Sequence, residues 1–161
     1  MSTVGGSIWS EIAAMFAGDN VAVLAGVGHL GVSLLQYSRF ARYGLQIVAG
    51  FDSDERKVGT TVGGRPVYHV SALPQIVRSQ AIGIGILATP MDAAQKVAET
   101  MAHAGIRGIW NFTPRRLTVP DQVIVERVEL AASLAMLSQR LAGRPEEETS
   151  RPAEDIIQFN V

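Results

Sequence analysis

The chain has 161 residues, 47% apolar and 18% charged, which describes one packed domain and excludes a disordered or low-complexity chain. Fourteen basic and fifteen acidic side chains leave a formal charge of −1, so bulk charge is not available to hold a nucleic acid. The absence of cysteine excludes disulfides, Fe–S clusters and thiolate zinc sites.

Residues 7–18 (SIWSEIAAMFAG) predict a short amphipathic helix, so 1–18 is expected to form an N-terminal helix and linker. Val21 to Ala25 is a continuous apolar run, the pattern of a strand buried on both faces of a parallel sheet. Residues 30–43 follow with apolar side chains at helical spacing. Leu45 to Phe51 predicts a second strand and Arg65 to Val70 a short third one, which Pro66 restricts to an edge or a strand start. Ser71 is placed to cap a helix running to Gln80, with Pro74 in its first turn. Ile82 to Ala88 is a fourth strand, 91–103 the strongest helix in the chain, stopped by Gly105. Ile106 to Phe112 and Gln122 to Val128 are the last strands, and 129–142 a second strong helix. Residues 143–161, with Gly143, Pro145, three consecutive glutamates and Pro152, read as a polar tail, whose end at Ile156, Ile157 and Phe159 is apolar enough to dock.

Strands alternating with helices imply βαβ units, hence an α/β fold with a parallel sheet covered on both faces. Between the first strand and its helix stands Gly26-Val27-Gly28-His29-Leu30-Gly31. In that setting the first glycine allows a tight turn, the second lets backbone amides approach a pyrophosphate, and the third lets helix and strand pack closely. The anion would rest at the helix N-terminus, where unpaired amides and the helix dipole favour negative charge. The fold class is therefore a Rossmann-type doubly wound sheet in a single domain spanning 19–142. Asp52 ends the second strand, 21 residues beyond Gly31, with Ser53 beside it. Its carboxylate suits a ribose hydroxyl pair and would repel a 2′-phosphate, which favours NAD over NADP; Arg56 and Lys57 downstream could offset that repulsion. Capping the turn 52–55 is the alternative role for Asp52. Thr89-Pro90 and Asn111-Phe112-Thr113-Pro114 end the fourth and fifth strands, where an open α/β sheet places ligands; loop punctuation is the alternative for both.

No catalytic acid or base stands out. His103, at a helix end, is expected to cap carbonyls, and His69, in a short strand, to be structural. The three histidines lack metal-ligand spacing, so no metal site is expected. The longest apolar runs fall short of the ~20 residues a membrane span needs, and the first residues lack the charged start of a secretion signal. The cytoplasm is the expected compartment, with no membrane association. Without a substrate domain beside the dinucleotide fold, a sensor is a better expectation than an enzyme.

The segments VAVLAGVGHLGVSLLQY, IVAGFDSDERKVG, VGGRPVYHV, ILATPMDAAQKVAE, AGIRGIWNFTP and VIVERVELAASLAMLSQRL, in that order over about residues 10–142, resemble the C-terminal domain of the bacterial redox-sensing repressor family Rex. That resemblance implies NAD(H) as cofactor, with Gly26, Val27, Gly28, His29, Leu30 and Gly31 around the pyrophosphate and Asp52 with Ser53 at the adenosine ribose. It implies Thr89, Pro90, Asn111, Phe112 and Thr113 along the nicotinamide half, Tyr68 among the sensing contacts, and a homodimer in which helix 129–142 reaches the partner subunit. Three features depart from the family. The winged-helix domain that normally precedes the glycine loop has no counterpart here, Glu129-Leu130 stands where the family favours Asp-Phe, and the tail after 142 is acidic and proline-containing. Direct DNA binding by this chain alone is therefore not expected, and the open alternatives are action through a separate DNA-binding or regulatory protein and descent from a repressor that lost its DNA-binding arm. The alternative is a CoA-binding domain of the succinyl-CoA ligase alpha-subunit type, against which Asp52 and Asn111-Phe112-Thr113-Pro114 speak. Helix 129–142 presents Leu130, Leu134, Leu137 and Leu141, an apolar surface for its own sheet or for a second copy.

Overall fold

A computed structural model describes residues 20–143 of the chain; the predicted helix at 7–18 and the tail from 144 onward lie outside the described residues. The elements are β1 (Asn20–Ala25), α1 (His29–Gln36), a 3-10 turn (Ser38–Tyr43), β2 (Leu45–Asp52), β3 (Thr61–Val62), β4 (Arg65–His69), a second 3-10 turn (Val70–Ala72), α2 (Leu73–Gln80), β5 (Ile84–Leu87), α3 (Met91–Ala104), β6 (Gly108–Asn111), β7 (Ile124–Arg127) and α4 (Leu130–Ala142). The sheet order is β3-β4-β2-β1-β5-β6-β7. All pairings are parallel except β3 with β4. With the short edge hairpin set aside, the order from β4 to β7 is the doubly wound arrangement of two mononucleotide-binding halves, reversing direction between β1 and β5.

The apolar run of β1 is buried because it feeds two cores. Val23 and Ala25 face α2 and α3, in one cluster with Phe51, Leu73, Val77, Leu87, Ala98 and Met101. Ala22 and Leu24 face the other side, with Val27, Leu35, Ile47, Val67 and Ile86. Each fully buried Val, Leu, Ile, Phe or Met among them contributes roughly 1.5–3 kcal/mol through removal from water. In β2 the parallel register slips, Ala22 pairing with Ile47 but Val23 with Ala49. Ile47 therefore joins the α1-side core while Ala49 and Phe51 join the opposite one. A one-residue slip inverts every side chain beyond it, so it also decides which way Asp52 points.

Three local expectations change. The helix predicted over 30–43 stops at Gln36, Tyr37 turns extended (ψ 107°), and a 3-10 turn carries the rest. The physical reason lies in the hairpin of β3 and β4, whose Arg65 donates from Nη1 to the Leu35 carbonyl (2.9 Å) and from Nε to the Ile47 carbonyl (2.8 Å). It takes a carbonyl near the helix end and ties α1 to β2. That hairpin, closed by Gly63 and Gly64 at φ 58° and 79°, is itself an addition to the predicted elements. Finally, Ser71 does not cap α2. A 3-10 turn intervenes, the cap position is Ala72, and the Ser71 amide donates to His69 Nδ1 at 3.2 Å. Pro66 is the second residue of β4 and precedes its register with β2, which starts at Val67.

Candidate functional site

β1 ends at the point where the sheet reverses direction, flanked by β2 and β5. Gly26 turns there with φ 98°, and a Cβ on it would stand 2.4 Å from the Ala88 carbonyl oxygen and 2.6 Å from the Thr89 nitrogen. The chain thus crosses directly over the end of β5. A Cβ on Gly31 would stand 1.9 Å from the Gly26 carbonyl oxygen, so α1 starts hard against the turn. Gly28 is the N-cap, in extended backbone, with no side chain closing the helix end. The amides of Gly28, His29 and Leu30 consequently have no partner within the helix. His29 is exposed and Gly28 and Leu30 are half-buried, which leaves this positive helix end reachable.

Asp52 closes on the same turn. Its Oδ2 accepts the Val27 amide at 2.8 Å, and its Oδ1 accepts the Asp54 amide at 2.8 Å. The carboxylate both caps its own turn and holds the glycine loop, and an ionised carboxylate has about four acceptor positions, so each oxygen keeps one for a further donor. Lys57 Nζ donates to the Val27 carbonyl at 2.8 Å and lies 3.8 Å from Asp52 Oδ2. Arg56 is forked onto Asp54 through Nε and Nη2, both at 3.1 Å, and this hydrogen-bonded pairing holds the Asp54 carboxyl below its ordinary value. Both cations after β2 are thereby engaged.

A cleft of about 460 Å³ opens over the carboxyl ends of β1, β2 and β5. Its apolar wall is Phe51, Val70, Pro74, Ala93 and Val97, and Asp52, Ser53, Ser71, Thr89, Asp92, Lys96 and Thr100 supply polar groups. Thr89 is only 6% exposed and its Oγ1 has no hydrogen-bond partner. A buried hydroxyl left unpaired costs free energy, and one on a cleft wall calls for an explanation.

Of the residues singled out in the sequence, the cleft gathers Gly26, Asp52, Ser53, Thr89 and Pro90. Tyr68 stands outside it, 39% exposed, with its ring centre 5.8 Å from that of Phe51. Asn111, the last residue of β6, and Thr113, in the loop after it, are buried. Asn111 Oδ1 accepts the Thr113 amide (2.9 Å) and hydroxyl (2.7 Å), and its Nδ2 donates to the Arg115 carbonyl. Phe112 packs on Trp110 at 4.8 Å, on the α1 side of the sheet. His103 Nδ1 bonds the Glu99 carbonyl at 2.9 Å. No cluster that could hold a metal ion occurs among the described residues, and none of their helices is long and apolar enough to cross a membrane. Asp92, Lys96 and Thr100 of α3 line the cleft without having been singled out in the sequence, and the reach of Lys57 across 30 residues to Val27 leaves no local sequence signal.

The chain is similar to several known proteins. Residues 18–115 match the CoA-binding domain family. The redox-sensing transcriptional repressor Rex of Porphyromonas gingivalis is 43% identical over 130 residues, which are 81% of this chain and 60% of the relative, so the chain spans less than two thirds of that relative's length. The crystal structure of RSP in complex with β-NADH superposes with a TM-score of 0.80 at 32% identity, covering 85% of this chain and 68% of that one. RSP, a Rex-family repressor, in complex with β-NAD⁺ and operator DNA superposes with a TM-score of 0.77 over 85% of this chain and 64% of that one.

Proposed function

The chain belongs to the CoA-binding domain family and, within it, to the Rex redox-sensing repressors, and from that premise we propose that it binds NADH and NAD⁺ in the cleft at the sheet's reversal point and reports their ratio. The observation that carries this reading is convergence: Gly26 of the glycine turn, Asp52 and Thr89 line one cleft, and the Asp52 carboxylate holds the Val27 amide of that same turn. The amides of Gly28, His29 and Leu30 receive the diphosphate, and the free acceptor positions of Asp52 take the ribose hydroxyls. Ser53 and Pro90 border the same cleft. Tyr68, Asn111, Phe112 and Thr113 serve the nicotinamide half, Asn111 and Thr113 by shaping the loop they brace. Preference for an unphosphorylated ribose follows from Asp52, with Arg56 and Lys57 both committed elsewhere. The ligase-type alternative is not favoured, since the matched relatives are repressors.

Calorimetric titration with NADH, NAD⁺, NADPH and CoA tests this. NADH and NAD⁺ binding at submillimolar concentration, with NADPH at least about tenfold weaker, is the expected outcome; no dinucleotide binding, or CoA binding tighter than either, would contradict it. Thr89→Val keeps the shape and removes the hydroxyl. NADH affinity is expected to fall about fivefold, the worth of one neutral hydrogen bond, while the ligand-free melting temperature stays level or rises.

We further propose that α4 pairs two copies of the chain. Met136, Leu137 and Leu141 are each more than half exposed on it, and α4 packs extensively on no other described element. The side chain of Leu130 lies outside the described residues. Sedimentation at micromolar concentration is expected to give twice the 17.2 kDa chain mass, and Leu137→Asp with Leu141→Asp to give the single mass. A wild-type monomer would refute the pairing.

A further inference from the structure

We infer that Lys57 is a positioning residue, locking the peptide between Val27 and Gly28 so that the Gly28 amide faces the anion; the inference rests on the dinucleotide reading above. Both backbone groups of Val27 are held by side chains, one from the last residue of β2 and one from the turn after it. The amide donates to Asp52 Oδ2 and the carbonyl accepts from Lys57 Nζ, each at 2.8 Å. Val27 itself is 3% exposed.

The Val27 carbonyl and the Gly28 amide belong to one planar trans peptide unit and point in opposite directions. Drawing the carbonyl onto Lys57 therefore turns the Gly28 N–H away from Lys57, at the helix end where no backbone carbonyl claims it. Such a lock is needed at this place. Of the two residues this peptide joins, Gly28 has no Cβ to restrict its side of the rotation. Flipped, it would present a carbonyl oxygen to the diphosphate. Lys57 is itself fixed in a turn, its amide donating to the Asp54 carbonyl at 3.0 Å and its carbonyl accepting the Thr60 amide at 3.2 Å. The ammonium is thus delivered by ordered backbone, and its distance of 3.8 Å from Asp52 Oδ2 ties the two halves of the clamp together.

The test compares Lys57→Met and Lys57→Arg in the full chain, using NADH, ADP and adenosine, with adenosine followed by amide NMR at millimolar concentration. If the locked peptide falls to a tenth of the population, NADH and ADP bind about tenfold more weakly to Lys57→Met. Adenosine, which has no phosphate, stays within about twofold, and the Gly28 amide resonance of the ligand-free protein moves. Lys57→Arg, which keeps a cationic donor, restores most of the NADH affinity. Unchanged NADH and ADP binding in Lys57→Met would overturn the inference, as would an equal loss for adenosine, which would place the effect on Asp52. A wild-type chain that binds none of the three overturns the dinucleotide reading instead, and this inference with it.

Discussion

Gly26→Ala is expected to unfold the protein at a temperature lower by roughly 10 °C or more, read by calorimetry on the ligand-free chain. Two costs add. The φ of 98° lies where an alanine is strained, by about 1–3 kcal/mol. The new Cβ would also stand 2.4–2.6 Å from three atoms of the Ala88–Thr89 peptide, backbone that can yield only by shifting the end of β5. A combined loss of about 4 kcal/mol corresponds to such a drop for a chain of this size. Gly59→Ala is the control. Its φ of 84° is equally left-handed, but nothing lies within 4 Å of the added methyl. It should cost the strain alone. Equal effects at the two positions would mean that the crossing of β1 over β5 is not as tight as described.

Asp52→Asn is expected to weaken NADH binding by about a hundredfold, or ~2.7 kcal/mol, in calorimetric titration. The substitution preserves shape but replaces one acceptor oxygen with an NH₂ donor. The two amides from Val27 and Asp54 can no longer both be satisfied, and the ribose hydroxyls lose a charged acceptor worth roughly 1.5–3 kcal/mol. Because the negative charge is gone, discrimination against NADPH should narrow by at least about tenfold. A variant that binds NADH as well as the wild type would remove Asp52 from the site and reduce it to a cap of its own turn.

Much of this organisation is legible in the sequence because it rests on local rules. The run Val21 to Ala25 is apolar throughout and is buried on both faces from Ala22 onward, and the glycine spacing marks a turn whose close contacts at 26 and 31 exclude a Cβ. The position of Asp52 at a strand end is equally local. Its orientation is not. The carboxylate reaches the Val27 amide because the β2 register slips between Ile47 and Ala49, an event set by packing on two faces at once and invisible to any two-residue periodicity. The stop of α1 at Gln36 is likewise decided from afar, by Arg65 taking the Leu35 carbonyl. The hairpin at 61–66 carries a legible glycine pair, yet its strand of two residues is too short to register as an element. Lys57 is legible as a cation close to Asp52, but its reach to a backbone carbonyl is not, because no side-chain pattern encodes such a partner. Asn111 and Thr113 were recognisable as an unusual strand end, whereas their use of each other as partners depends on the loop's path.

The central claim is that the backbone between Gly26 and Gly31 grips a diphosphate while Asp52 grips the adjoining sugar. A crystal structure of the full chain grown with excess NADH measures both contacts together. The account predicts phosphate oxygens within hydrogen-bond distance of the Gly28, His29 or Leu30 amides and ribose oxygens on the Asp52 carboxylate. Density for NADH elsewhere on the molecule, or a cleft that stays unfilled at saturating NADH, would contradict it.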